Sequence, residues 1–267
     1  MDHLSRDRNY KNISKASSTT KPKTSSVPNS RNVPKSGSLN GANMNVHSKS
    51  NADKRKVRIY NNAKLSIHPR DTVVICDWDD TLFPTSWVNE QNINLTDIRS
   101  RYMYARYFDS LDKHLFATIR RIKKYADLII ITNATKQWLQ ITLTVLPKTK
   151  ELLDDVPIIS AREAFQHQCG IQDWKKHTFK AELSKDGRTH YKNIVSLGDA
   201  NYEHNALIGL YRWDVIPLKY LKSVKFTRSA DYSDLFGQLQ MISNEIKNII
   251  LAQRHLDLTL DVIRLDK

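Results

Sequence analysis

The run Val73-Val74-Ile75-Cys76 passes directly into Asp77-Trp78-Asp79-Asp80-Thr81, so a wholly apolar segment ends in a cluster of like charges. A short uninterrupted apolar run fits a strand covered on both faces, which is the situation in a parallel sheet flanked by helices. Runs of the same kind follow at Leu128–Thr132, Val156–Ile159, Ile194–Leu197 and Val224–Phe226. Longer amphipathic segments lie between them. Leu111, Leu115, Ile119 and Ile122 recur at the spacing of one helix face, and Lys136–Leu146, Ala161–His167 and Ser233–Ala252 read as further helices. The strict alternation that begins at Leu256 suggests an added edge strand running toward Ile263.

Strands that alternate with helices predict an α/β fold, a three-layer Rossmann-like domain around a central, mostly parallel sheet of five to six strands. It is expected over residues 57–267. Residues 1–56 are rich in Ser, Thr, Asn, Lys and Arg and poor in large apolar side chains, so a disordered tail is expected there. That tail holds 12 of the 42 Lys and Arg but only Asp2, Asp7 and Asp53 of the 28 acids, a net of +9 out of the chain's +14. It reads as a solvated tail or as a basic arm for nucleic acid or an acidic partner. Cys76 and Cys169 form neither a pairing framework nor a CxxC spacing. No apolar leader follows the first charges, and no run approaches about 18 apolar residues, so an intracellular protein, cytoplasmic or nuclear, without a membrane segment is expected.

In an open parallel sheet, ligands gather outside the carboxyl ends of the strands. Asp77 and Asp79 follow the first strand and, at period-2 spacing, project to one side while Trp78 and Asp80 point elsewhere. Two carboxylates about 4 Å apart repel by roughly 4 kcal/mol at an effective dielectric near 20. A proton or a hard divalent cation such as Mg²⁺ would offset that repulsion. Gly198-Asp199-Ala200-Asn201-Tyr202-Glu203 brings a second acidic loop after the fourth run, with Asp199 and Glu203 placed to face one point if a helix begins near Ala200. Thr132-Asn133-Ala134-Thr135 follows the second run and offers a hydroxyl and amides suited to an anion. Asp80 reads as a cap or a solvated charge.

These segments carry a resemblance. "DWDDT" is similar to the DxDxT signature of the haloacid dehalogenase-like phosphatase superfamily, "LIIIT" to its hydrophobic run ending in Thr, and "GDANYE" to its acidic metal motif. The resemblance covers roughly residues 70–230. It implies that Asp77 is a nucleophile forming an aspartyl-phosphate and that Asp79 is the acid and base. Thr132 and Asn133 would hold the phosphoryl group, and a Lys of the Trp174–Phe179 segment would neutralise it. Lys175 is taken for that role, with Lys176 and Lys180 as alternatives. Asp77, the Asp79 backbone carbonyl and Asp199 would bind Mg²⁺, with Glu203 supporting the ion directly or through water. Thr81 matches the Thr that marks phosphatases in the superfamily, while Glu203 is longer than its commoner Asp.

The superfamily controls access with cap insertions, and residues 83–107 leave room only for a flap or a short helix or two. Trp87, Tyr102, Tyr104, Tyr107 and Phe108 would then sit near the mouth or simply pack against the domain. An uncapped site suits a phosphate on a macromolecule, such as a phosphoprotein or a nucleic-acid end. The reading from another class is a catalytically weak or inactive binding protein that holds nucleic acid or a partner with its basic tail.

Overall fold

The computed structural model describes residues 66–212 and 219–260. The expectations for a tail over 1–56 and for the chain beyond Leu260 lie outside the described residues.

Each apolar run becomes a strand. After β1 (Thr72–Cys76) come three helices, α1 (Thr85–Glu90), α2 (Ile98–Met103) and α3 (Ala105–Tyr125), then β2 (Asp127–Thr132). The chain continues through α4 (Lys136–Leu143), α5 (Pro147–Leu152), β3 (Ile158–Ser160), α6 (Ala161–Phe165) and α7 (Ile171–Leu183) to β4 (Asn193–Gly198). It closes with α8 (Asn201–Arg212), β5 (Tyr220–Phe226), α9 (Tyr232–Leu251) and β6 (Leu256–Leu260). The strands form one sheet in the order β3-β2-β1-β4-β5-β6, and every neighbouring pair is parallel. "Mostly parallel" thus becomes wholly parallel, because even the edge strand β6 is reached by a crossover helix, α9, rather than by a hairpin.

Continuous apolar strands make sense once both faces are followed. Val74 and Cys76 of β1, with Leu128 and Ile130 of β2, face one core, which α3 and α9 cover with Leu111, Leu115, Ile119, Leu239, Ile242 and Ile246. Val73, Ile75, Ile129 and Ile131 face the other core, covered by Phe179 and Leu183 of α7 and by Ala206 and Leu207 of α8. The alternation of side chains across a strand divides four or five consecutive apolar residues between two layers.

The strand order reverses direction between β1 and β4, since the chain moves outward to β2 and β3 and then returns to lay β4 on the other side of β1. A crevice opens at such a switch point beyond the carboxyl ends of the strands. Asp77 follows β1 and Asp199 follows β4, so both acidic loops flank that crevice. Among the described residues, no helix is long and apolar enough to cross a membrane.

Candidate active site

The register of β1 on β4 sets the first distances. Cys76 is opposite Leu197, and Asp77 N donates to Leu197 O at 2.9 Å, so the ladder continues one step past β1 and holds the Asp77 backbone in place. Trp78 then turns inward, fully buried, with Nε1 donating to Thr142 Oγ1 at 3.1 Å. The amides of Leu82 and Phe83 both donate to the Trp78 carbonyl at 2.9 Å, folding the chain back on itself. Asp80 sits at the bend with φ 51°, a left-handed conformation that Asp tolerates better than most residues. Its carboxylate is buried and accepts from Ser86 N at 2.8 Å and Ser86 Oγ at 2.5 Å. Of the two readings expected for Asp80, a cap or a solvated charge, the structure shows the cap, because the bend turns the side chain onto the start of α1.

Asp79 is held by two donors. Thr85 Oγ1 donates to its Oδ1 at 2.5 Å and Trp138 Nε1 to the same oxygen at 2.9 Å. Burial, followed at a distance by the Asp77 charge, raises the Asp79 carboxyl above the usual carboxylate range, although both hydrogen bonds oppose the shift. Neither Thr85 nor Trp138 was singled out from the sequence. Thr85 lies only six residues away, but Trp138 is 59 residues distant and comes into reach only because α4 follows β2 at the same sheet edge.

The acidic cluster is Asp77, Asp199 and Glu203, whose carboxylate oxygens lie within 4.8 Å of one another. Lys175, on α7, is buried among them. Its Nζ is 2.7 Å from Asp77 Oδ1 and bonds to Glu203 Oε1 as well. Burial pulls its pKa down, but the Asp77 and Glu203 carboxylates outweigh it and the net direction is upward. Lys176 instead pairs with Asp173 on its own helix at 3.3 Å, and Lys180 is exposed. Of the three lysines, Lys175 is the one that reaches Asp77.

Glu203 Oε2 accepts from Ala200 N at 3.1 Å, so the residue closes the first turn of its own helix while facing Lys175. Burial raises its pKa, with Lys175 opposing. The side chain lies over Gly198, where a Cβ would come within 2.2 Å of Glu203 Cγ. Asp199 is pushed up to about 7, first by burial and then by the charges of Asp77 and Glu203. An all-oxygen donor set with more negative charge than one lysine neutralises fits a hard divalent cation such as Mg²⁺. Thr132 is fully buried, and its Oγ1 accepts from Ala134 N at 3.0 Å, which leaves its own proton free to donate. Asn133 is half-buried beside it, with Oδ1 unpartnered. Thr81 Oγ1 is likewise buried and unpartnered among the described residues. Arg228, in the loop after β5, places Nε 3.8 Å from Asp199 Oδ2 and is otherwise exposed. Its signal in the sequence was only its place just past a strand's carboxyl end.

The insertion over residues 83–107 forms the short helices α1 and α2. Trp87 packs against Tyr107 at 5.2 Å and Tyr232 at 5.1 Å between ring centroids, and Phe108 is buried beneath it. Of the aromatic residues expected near the mouth, Tyr102 is the one that stands in solvent.

No protein-family model and no curated protein matches the chain. Among solved structures, it is similar to the HAD domain of effector protein Lem4 from Legionella pneumophila, with 11% identity and a TM-score of 0.36 over 67% of this chain and 95% of that one.

Proposed function

We propose that the protein is a Mg²⁺-dependent phosphatase that hydrolyses phosphate monoesters through an aspartyl-phosphate on Asp77. The observation that carries the reading is the buried contact of Lys175 with Asp77 inside the Asp77–Asp199–Glu203 cluster, next to a second carboxyl, Asp79, whose pKa is raised. A carboxylate that attacks a phosphate faces repulsion, and a buried ammonium 2.7 Å from Asp77 Oδ1 offsets part of it. Bound between Asp77, Asp199, Glu203 and the Asp79 carbonyl, Mg²⁺ would supply the remaining positive charge.

The Asp77 carboxylate forms a bond to phosphorus while the bond to the leaving oxygen breaks, and the Asp79 acid gives that oxygen its proton. A raised pKa suits this role, because the acid must be protonated when it is needed. The Asp79 carboxylate then takes a proton from water as the water oxygen attacks phosphorus, the bond to Asp77 breaks, and phosphate leaves with both residues restored. Thr132 donates its hydroxyl proton to a phosphoryl oxygen throughout, and Asn133 contributes at the same loop. Splitting one displacement into two lowers the barrier of each.

Two short helices in place of a large cap leave the approach open, and the exposed guanidinium of Arg228 stands beside Asp199 at the rim. Both features suit a phosphate on a macromolecule, a phosphoprotein or a nucleic-acid end. Hydrolysis of an aryl phosphate tests the chemistry. Turnover is expected with Mg²⁺ and not with chelator, and Asp77→Asn, folded by circular dichroism, is expected to show none. Turnover that survives Asp77→Asn would overturn the nucleophile assignment.

A further inference from the structure

A groove of about 820 Å³ runs between the later halves of α3 and α9. Both helices carry the chain back from the carboxyl edge of the sheet, so their later halves lie toward the opposite end from Asp77. Arg120 is about 22 Å along α3 from Ala105 at 1.5 Å per residue.

The groove is lined by Arg120, Arg121 and Lys124 from α3 and by Lys247 from α9. Arg121 Nη1 donates to Ser243 O and ties the two helices together. Among the described residues none of these four cations is paired with a carboxylate, whereas Lys123 beside them pairs with Asp155. The acid on the adjoining turn of α9, Glu245, accepts from Asn248 Nδ2 at 2.9 Å. Completing the helix dipole explains cations in a last turn. It accounts for Lys124 but not for Arg120, Arg121 or Lys247, which lie before the last turns of their helices.

An aromatic ring sits among the charges. Lys124 Nζ is 5.5 Å and Lys247 Nζ 5.8 Å from the centroid of Tyr125, and Phe116 lines the groove one turn before Arg120. Ammonium groups around a ring match a ligand in which phosphate and base alternate. A single nucleic-acid strand has that pattern and tolerates any sequence, because every base has a face to stack. An acidic peptide would use the cations and leave the ring idle.

We propose that this groove binds single-stranded nucleic acid, with backbone phosphates on Arg120, Lys124 and Lys247 and a base stacked on Tyr125. The proposal rests neither on the phosphatase reading nor on the basic composition of residues 1–56. The test is fluorescence anisotropy of the full chain with labelled oligothymidylate of about 20 nucleotides across a salt series. Arg120→Ser/Lys124→Ser/Lys247→Ser is expected to bind at least tenfold more weakly, with the salt slope shallower by about two units for three lost contacts at roughly 0.7 each. Tyr125→Leu is expected to weaken binding roughly tenfold, and Tyr125→Phe to retain it. The triple variant and Tyr125→Phe should keep wild-type urea midpoints, and because Tyr125 also packs against the core, Tyr125→Leu is assayed under conditions where circular dichroism shows it folded. Unchanged affinity in the triple variant would mean that the groove is not the site, and displacement by polyglutamate as readily as by oligonucleotide would overturn the assignment of the ligand.

Discussion

At the scale of single residues, the candidate site was legible wherever a residue stands next to a strand end, and hidden wherever its partner comes from elsewhere. Asp77 and Asp199 each stand just past an apolar run, so their convergence follows from β1 and β4 lying side by side in the parallel sheet. Trp138 on Asp79 and Arg228 beside Asp199 depend on loop paths that no local pattern encodes. Gly198 stands where the Glu203 side chain leaves no room for a Cβ. Gly198→Ala would place a methyl group within 2.2 Å of Glu203 Cγ; overpacking of this kind costs about 1–3 kcal/mol. An unfolding free energy lower by that amount in urea titration is expected, with slower turnover because Glu203 must move away from Lys175. Lys222 is the residue the sequence concealed most fully. Val224–Phe226 was read as the strand, yet β5 begins at Tyr220 and Lys222 is wholly buried, its Nζ donating to Ile250 O at 2.7 Å. Burial lowers its pKa to about 8. From there up to the ordinary Lys value the unfolded chain holds a proton the native state has lost, so this group makes stability rise with pH in that window. Lys222→Met should be more stable than wild type below pH 8 by about 1 kcal/mol, since burying a charge is costly and Asn193 Nδ2 still donates to Ile250 O at 2.8 Å. The advantage should shrink as pH rises from 8 to 10. Urea titrations of both proteins at several pH values measure it, and an advantage that grows with pH would contradict the assignment.

Elements were legible in kind more than in extent. One helix was expected over Lys136–Leu146; the chain makes α4 and then a separate α5, with Pro147 at its first position, where a missing N–H costs nothing. The cap of α5 could not be read, because it comes from α3. The buried carboxylate of Asp112 accepts from Lys148 N at 3.0 Å and Thr149 N at 2.8 Å, two amides that the helix itself leaves without partners. An acid at a helix start is also favoured by the dipole. Leu111 and Leu115, its neighbours on α3, showed the correct buried face, yet nothing in the 3.6-residue period distinguishes an acid that caps a remote helix from one that faces water. Asp112→Ala is expected to cost about 2 kcal/mol, at the upper end for a lost cap because the carboxylate and its bond to Thr149 N are buried. Asp112→Asn should recover part of it through one accepting oxygen. Chemical denaturation of the three proteins makes the comparison, and an alanine variant as stable as wild type would show that water replaces the carboxylate.

For the whole molecule, the strand order matters more than any one element. A sheet wound outward to β3 and then back across β1 must bring the loops after β1 and β4 side by side, and it is there that the chain concentrates Asp77, Asp79, Asp199 and Glu203. Lys175 supplies one positive charge at the centre of the cluster and Arg228 a second at the exposed rim. The fold therefore holds unneutralised acids together at its switch point, at a cost in stability that a bound cation would reverse. Mg²⁺ in excess should raise the melting temperature by linkage, by about 2.7 kcal/mol of stability at a hundred times its dissociation constant. Asp199→Asn should behave in the opposite sense twice over. Without Mg²⁺ it should melt above wild type, because the repulsion from Asp77 and Glu203 is gone. With Mg²⁺ its shift should be smaller, because a ligand is gone. Differential scanning fluorimetry of both proteins across a Mg²⁺ series, with Ca²⁺ as comparison, reads both effects in one experiment. A wild type indifferent to Mg²⁺, together with an Asp199→Asn variant no more stable than wild type, would mean that Lys175 and Arg228 already balance the cluster and that the crevice does not need the ion.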